Sequence, residues 1–164
     1  MIYGQFKEQY SMQELDNTDL NLLRTVSKNS GFTIKELAAK VNLSPSPVFE
    51  RLKRLEREGY IKKYVALLDA EKLNHGFIVF CNIKLKTHDK SIGHKFVNDI
   101  LTIDEVVECY NISGEYDFLL KVYARSMKHY QDFVFNKLGS VNSIGSTQST
   151  FVMAEIKNLH NISL

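Results

Sequence analysis

The chain has 164 residues, of which 44% are hydrophobic and 24% charged, values typical of a globular protein with one large or two small cores. Its formal net charge of +2 excludes a general polycation, but the charge is uneven. Residues 28–63 contain nine Lys or Arg and four Asp or Glu, a net of +5, so the remainder carries about −3. This imbalance indicates a local phosphate-binding surface. No apolar run is long enough for a membrane span or a signal peptide, so we expect a cytoplasmic protein without a membrane partner.

The residue types that usually carry catalysis or bind metals are few and scattered. The two cysteines, Cys81 and Cys109, fall in predicted strands, which favours reduced core thiols over a metal site. The five histidines lie far apart, and no nucleophile–base pair, metal-ligand cluster or phosphate-binding loop is evident. We therefore predict that the protein is not an enzyme and has no metal or cofactor.

The N-terminal segment predicts an arm followed by a short helix. Residues 1–14 are polar with three aromatics and no periodicity, so they either order on a partner or form an extension without a role. Asp16 is a good N-cap for a helix with an apolar inner face, and residues 29–31 end that helix.

Two further helices follow with the spacing of a helix-turn-helix. Thr33 and Glu36 form a capping box at the start of a helix of about nine residues. Asn42 and Leu43 make a tight connection to the next helix, as a helix-turn-helix requires. The Ser44 hydroxyl is predicted to cap that helix by accepting a hydrogen bond from a free backbone N–H.

The segment from Ser44 to Gly59 predicts a recognition helix. Pro45 suits the first helical position, Gly59 provides a left-handed stop, and one buried stripe is formed by Val48, Leu52 and Leu55. The opposite face is basic, and Arg51, Lys53 and Arg54 are expected to line the side that enters a DNA major groove. The residues predicted to contact double-stranded DNA are Ser44, Ser46, Pro47, Phe49, Glu50, Arg51, Lys53, Arg54 and Arg57. The alternative is an ordinary helical hairpin with a solvated basic face.

The rest of the chain predicts a wing, a hinge and a mixed sheet domain. Residues 60–66 predict a strand beside the helices. The later pattern predicts the order βαββαβ, with strands at 77–85, 106–112, 116–124 and 147–156 and with helices at 91–101 and after Ser126. The predicted fold class is α+β: a winged helix-turn-helix (15–68), a hinge (69–76) and a ferredoxin-like βαββαβ domain (77–164).

The first predicted strand of that sheet is apolar on both faces. Phe77 and Val79 alternate with Ile78 and Phe80, so each face carries large apolar side chains. The two helices can cover one face only, and a second copy of the same sheet is the simplest cover for the other. We therefore predict a homodimer, which also presents the two recognition helices that a two-fold symmetric DNA site requires.

Four stretches carry a resemblance to a known family. They are LDNTDLNLL, LSPSPVFERLKRLEREGYI, SGEYDFLLKV and STQSTFVMAEIK. In order and spacing they resemble the Lrp/AsnC (leucine-responsive, feast–famine) transcription regulators of bacteria and archaea. The resemblance implies a winged helix-turn-helix, an amino-acid-binding regulatory domain, and dimers that assemble into tetramers or octamers. The long arm and Pro47 depart from the usual pattern, and Pro47 puts the base preference in doubt.

An amino-acid effector requires groups for an ammonium and a carboxylate, and the turn at 111–117 supplies both. Gly114 allows close backbone approach, Glu115 or Asp117 can pair with an ammonium, and backbone N–H groups can bind the carboxylate. The residues predicted to bind the effector are Asn111, Ser113, Gly114, Glu115, Tyr116, Asp117, Thr147 and Ser149. The alternative is a plain hairpin in which Asp117 holds the turn backbone.

The main interpretation is therefore a sequence-specific transcription regulator modulated by an amino acid or a related metabolite. Two other functions remain open from the sequence. One is an architectural protein that packs DNA with little sequence preference, and the other is a ligand-sensing α+β domain with no DNA role.

Overall fold

A computed structural model describes residues 14–158, 162 and 164, so nearly all of the predicted arm lies outside the described residues. The described chain divides after Leu67 into two compact units, one helical and one containing the sheet. None of the described helices is both long and apolar enough to cross a membrane.

The helical unit contains α1 (Asn17–Lys28), α2 (Ile34–Val41) and α3 (Pro45–Arg57). Both predicted N-termini are confirmed, and a capping box is present at each of them, Asp16 with Asp19 and Thr33 with Glu36. The three helices enclose a core made of Leu22, Leu23, Leu37, Ala38, Val48, Leu52 and Leu55. The predicted buried stripe of α3 therefore forms the centre of this unit.

The start of α3 differs from the prediction in one respect. Ser44 is the N-cap residue, but its side chain makes no capping hydrogen bond. A cap normally accepts from the second or third N–H of the helix, and Pro47 occupies the third position and has no N–H. The connection and the stop occur where they were predicted, because Asn42 ends α2 with a φ of 55° and Gly59 follows α3 with a φ of 78°.

The predicted wing strand at 60–66 is wrong for the single chain. The described backbone from Tyr60 to Leu68 contains no strand, and Val65, Leu67 and Leu68 are exposed. A strand needs a neighbour for its N–H and C=O groups, and the described part of the helical unit offers no other strand. The residues predicted as a hinge, 69–76, form turns that lead into the first strand.

The second unit has the predicted order βαββαβ. Its elements are β1 (Phe77–Leu85), α4 (Lys90–Ile100), β2 (Val106–Asn111), β3 (Phe118–Ala124), α5 (Met127–Asp132) and β4 (Ile144–Phe151). The sheet order is β2-β3-β1-β4 with every pair antiparallel, which is the ferredoxin-like arrangement. α5 continues through a π-helical turn (Phe133–Lys137) and a 3-10 turn (Leu138–Ser140). The last strand begins at Ile144 and ends at Phe151, so it lies earlier in the chain than the predicted 147–156.

The two faces of the sheet differ in burial, as the alternation predicts. Val79 and Cys81 are fully buried against the helices, whereas Ile78 and Phe80 on the other face are partly exposed. Cys81 is a core thiol as predicted, but the same prediction is wrong for Cys109. Cys109 is exposed because β2 is an edge strand of the sheet.

Candidate nucleic-acid interface and effector site

A buried network of charges connects α3 to the start of α1. Asp19 is fully buried, and its carboxylate accepts hydrogen bonds from Arg51 and Arg54. Arg51 Nη1 lies 2.8 Å from Asp19 Oδ1 and 2.6 Å from Asp16 Oδ2. Hydrogen bonds to these two carboxylates raise the pKa of the Arg51 guanidinium above its ordinary value. The same two aspartates cap α1, so one pair of side chains both starts α1 and holds α3.

The DNA contacts predicted for Arg51 and Arg54 stay predictions, and the structure gives both side chains a role within the chain. Their side chains are only 29% and 16% exposed and point toward α1. A carboxylate buried without water needs donors, and the two guanidiniums lie one helical turn apart on the flank of α3 nearest to it. From the sequence, Asp16 was predicted only as the N-cap of α1, with Asp19 three residues later. The signal available in the sequence was the equal spacing of the two aspartates and the two arginines.

The exposed face of α3 is formed by other predicted residues. Ser46, Glu50, Lys53 and Arg57 are exposed and recur at the spacing of one helix face, opposite the buried stripe. Phe49 lies beside them, is 45% exposed and has its ring centroid 5.8 Å from Lys53 Nζ. Ser44 and Pro47 are also exposed, at the start of the helix. A continuous surface of polar, basic and aromatic side chains is thus presented on one helix.

The turn after β2 is held by backbone and side-chain hydrogen bonds. Asn111 Nδ2 donates to the Asp117 carbonyl at 2.9 Å, and the Asp117 N–H donates to the Ile83 carbonyl at 2.9 Å. One Asp117 carboxylate oxygen accepts from the Leu85 N–H at 2.8 Å, and the other lies 3.1 Å from His88 Nδ1. The alternative in which Asp117 holds the backbone therefore has direct geometric support.

The rest of this turn projects into solvent. Ser113, Gly114 and Glu115 are exposed, and Tyr116 is partly buried. Gly114 has a φ of 122°, a conformation that side-chain-bearing residues rarely adopt. The turn therefore requires glycine for its backbone shape, with open space around that position.

The two strand residues predicted to join this turn lie at the opposite edge of the sheet. Asn111, Phe118, Ile83 and Thr147 form one row across the four strands. Three strand spacings separate Asn111 from Thr147 by about 14 Å, more than an amino acid spans. Within one chain the predicted effector residues therefore form two groups, the turn and the β4 hydroxyls.

Ser149 also has a structural partner on the helix side of the sheet. Its hydroxyl lies 2.6 Å from the Tyr130 hydroxyl, which in turn lies 2.8 Å from the Cys81 sulfur. Desolvation raises the pKa of the Cys81 thiol above its usual range. These contacts satisfy polar groups at the edge of the core. Of the two predicted β4 residues, the exposed Thr147 is therefore more accessible to a ligand than Ser149.

A separate cavity of about 450 Å³ lies between the second half of α4 and the π-helical and 3-10 turns. None of the predicted effector residues lines it; its polar lining includes Lys95, Asp99 and Lys137.

Among the described residues, no group of three or more His, Cys, Asp or Glu side chains is placed to hold a metal ion.

The molecule combines a three-helix unit, in which one face of α3 is exposed, with a ferredoxin-like unit that has an exposed turn. A family model for the winged helix-turn-helix DNA-binding domain matches residues 15–62, and a model for the Lrp/AsnC ligand binding domain matches residues 78–162. The leucine-responsive regulatory proteins of Klebsiella pneumoniae and Escherichia coli (strain K12) are each 32% identical over 150 residues, which is 92% of this chain and 92% of each relative.

Solved structures agree with these matches. A transcriptional regulator from Neisseria meningitidis in complex with L-Met has a TM-score of 0.85 and 35% identity, covering 88% of this chain and 94% of that one. An AsnC family transcriptional regulator from Agrobacterium tumefaciens has a TM-score of 0.86 and 32% identity, covering 91% and 97%. The chain belongs to the Lrp/AsnC family of DNA-binding transcription regulators, as the resemblance in its sequence implies.

Proposed function

We propose that the protein regulates transcription by inserting the exposed face of α3 into the DNA major groove, and that an amino acid or a related metabolite modulates this binding. One observation carries the DNA part of the proposal. Arg51 and Arg54 are held by Asp19, so they orient α3, while Ser46, Glu50, Lys53 and Arg57 are exposed on the face that would meet DNA. Phe49, Ser44 and Pro47 border this face at its N-terminal half.

Arg57→Ala tests the DNA contact. The Arg57 side chain is exposed in the last turn of α3, where it is suited to a phosphate contact. We expect weaker binding to every duplex, with the slope of log affinity against log salt reduced by about 1. Fluorescence anisotropy with a labelled duplex at several salt concentrations measures both quantities.

Arg125→Ala is the matched control, because it removes the same charge from an exposed position in the sheet unit. Its affinity and salt slope are expected to equal those of the unaltered protein. Equal losses in the two variants would mean that Arg57 acts through overall charge, and the proposed face of α3 would then be wrong.

The effector part of the proposal assigns an amino acid to the exposed turn at 111–117. It is supported by the match to the Lrp/AsnC ligand binding domain and by the L-Met complex of the similar Neisseria meningitidis regulator. Because Thr147 and Ser149 lie across the sheet from the turn, we propose that two copies of the chain combine to form the full site. A thermal-shift screen over the amino acids identifies the effector, since a ligand that binds the native state raises the melting temperature.

We also propose that the sheet unit forms the homodimer, from which tetramers or octamers assemble. The face opposite α4 and α5 exposes parts of Ile78, Phe80 and Leu119. The same face holds Lys121, which is 8% exposed and lies 3.3 Å from the Glu108 carboxylate. The apolar area suits this face to packing against a second copy of itself, and the ion pair with Glu108 compensates the Lys121 charge.

A fragment from Ala70 to Leu164 tests this assembly. It retains β1 to β4 with both helices, so we expect a dimer or a larger species in light scattering at micromolar concentration and no DNA binding. Phe80→Lys in the full chain is the complementary variant, since it places a second positive charge next to Lys121, its partner across the β1–β3 pair. Dimerisation that persists in both the fragment and this variant would locate the interface elsewhere in the sheet unit.

An architectural role with little sequence preference is the second candidate. The basic excess of residues 28–63 is the observation that favours it. Affinity for random duplex within about tenfold of the affinity for a selected site would support this role over specific regulation.

A further inference from the structure

One carboxylate on the exposed face of α3 has no function within the chain. Glu50 is exposed, and within the described part of the protein it has no hydrogen-bond or ion-pair partner. By contrast, Glu56 on the same helix is held by Lys53 at 2.8 Å and by the Tyr64 hydroxyl at 3.1 Å. Glu50 is therefore an unpaired negative charge in the middle of a surface whose other side chains are polar, basic or aromatic.

The structure also shows why Glu50 is left free. Its natural helical partners are the cations three and four residues later, Lys53 and Arg54. Lys53 is engaged by Glu56, and Arg54 is drawn to the buried Asp19. Glu50 lies beyond the first turn of α3, so its charge does not complement the partial positive charge of the helix N-terminus. Neither an ion pair within the chain nor the helix dipole accounts for the negative charge at this position.

On a DNA-binding face, the negative charge of Glu50 lowers the affinity for DNA unless a specific contact compensates for it. The phosphates of a duplex repel a carboxylate, so Glu50 weakens binding to DNA in general. The repulsion is offset only where a base edge donates a hydrogen bond to the carboxylate. Guanine and thymine present acceptors at the major-groove edge, and adenine presents its amino group beside the N7 acceptor. Cytosine presents its N4 amino group with no acceptor on the same base edge.

We propose that Glu50 is a specificity-determining residue that accepts a hydrogen bond from the N4 amino group of a cytosine in the major groove. This inference rests on the proposed function, because it requires α3 to enter the groove through its exposed face. Glu50 then acts mainly by disfavouring sites with another base at that position, and it adds little to the affinity for the correct site. The same contact explains how a basic recognition helix discriminates among sequences that all carry the same phosphates.

The experiment selects DNA sites from a random duplex pool with the full-length protein and then repeats the selection with Glu50→Gln. We expect the unaltered protein to select a C·G pair at one position of each half-site. Gln is suited to the N6 and N7 atoms of adenine, so the variant is expected to select A·T at that same position. Replacing the selected C·G pair by T·A is expected to weaken binding by the unaltered protein about tenfold and binding by Glu50→Ala hardly at all.

The affinity for random DNA is a second measurement, and it is expected to change in the direction opposite to the affinity for the selected site. Glu50→Ala removes a repulsive charge, so its affinity for a random duplex is expected to rise while its affinity for the selected site falls. Asp104→Asn is the control, since it removes one negative charge from an exposed position outside α3 and is expected to leave base preference unchanged. Circular dichroism confirms that each variant is folded before it is used.

The possible results separate this inference from the proposed function. If the unaltered protein binds no duplex at all, the proposed function itself is wrong. If it selects a defined site but Glu50→Gln selects the same base pairs and Glu50→Ala still discriminates C·G from T·A, DNA binding stands and the role of Glu50 is refuted. A Glu50 variant that loses affinity equally for selected and random DNA would likewise overturn the role of Glu50.

Discussion

Asp19→Ala is expected to lower the free energy of unfolding of the helical unit by about 3 kcal/mol, because it leaves two guanidiniums without their buried partner. Asp19 is fully buried, and both Arg51 and Arg54 depend on it for a hydrogen bond. The variant also removes the reciprocal bond of the α1 capping box, in which Asp19 accepts from the Asp16 N–H at 3.2 Å. Amide hydrogen exchange in α1 and α3 measures this local stability without requiring the two units to unfold together.

Lys53→Ala is the matched control for that experiment. It breaks an exposed ion pair with Glu56, which is expected to contribute no more than about 0.5 kcal/mol. Asp19→Asn keeps the shape of the side chain and one acceptor oxygen. Its loss of stability is therefore expected to fall between the losses for Asp19→Ala and Lys53→Ala. Protection of α3 that is unchanged in Asp19→Ala would show that the apolar stripe alone orients the recognition helix.

The same network changes the expected phenotype of Arg54→Ala. A groove contact would reduce affinity for the selected site while leaving the fold intact. The position of Arg54 beside Asp19 predicts the reverse, a loss of stability together with reduced binding to every sequence, because α3 is no longer held in its orientation. The apparent affinity is then expected to recover when binding is measured by fluorescence anisotropy at a lower temperature, at which more of the variant is folded.

Asp117→Ala is expected to lower the free energy of unfolding of the sheet unit by about 2 kcal/mol. The carboxylate accepts from the Leu85 N–H at 2.8 Å and lies 3.1 Å from His88 Nδ1, and its side chain is only 17% exposed. Its removal leaves a backbone donor unsatisfied at the end of β1, next to the irregular pairing between Lys84 and Leu85. Thermal and urea unfolding followed by circular dichroism measure the loss.

The same variant tests the proposed role of the turn in effector binding. Calorimetric titration with L-methionine, or with whichever amino acid the thermal-shift screen identifies, gives the affinity of the folded fraction. Lower affinity in the folded fraction supports an ammonium contact by Asp117, because a ligand can shift an equilibrium only through contacts that differ between the two states. Full affinity combined with lower stability means that Asp117 only holds the hairpin. Glu115→Ala is the companion variant, since that side chain is exposed and none of the described hydrogen bonds or ion pairs involves it.

Much of the architecture could be predicted because its signals are local. The capping boxes at Asp16 and Thr33 mark helix starts through contacts only three residues long, and the structure confirms both. Gly59 predicts the end of α3 because few other residues adopt its backbone conformation. The order of the sheet unit follows from alternation and turn residues in the same way.

Predictions that depend on distant neighbours succeeded less often. The strand at 60–66 was predicted from composition, but a strand needs a partner that the described helical unit does not contain. One local prediction also failed: Ser44 was predicted to cap α3 through its hydroxyl, but the proline three positions later has no N–H for that hydroxyl to bind. Thr147 and Ser149 were grouped with the turn at 111–117, but the strand order places them at the opposite edge.

By itself, the sequence determined the order of the elements, the buried stripe of α3 and the presence of a basic surface, because each depends on residues within a few positions of one another. Only the tertiary structure decided which charges on α3 are available. Arg51, Arg54 and Glu50 all look like surface residues in the sequence, and their different roles follow from Asp19, which lies more than thirty positions away along the chain. A buried carboxylate binds the nearest guanidiniums regardless of the pattern along their own helix, because the cost of leaving it unpaired exceeds any preference of that helix.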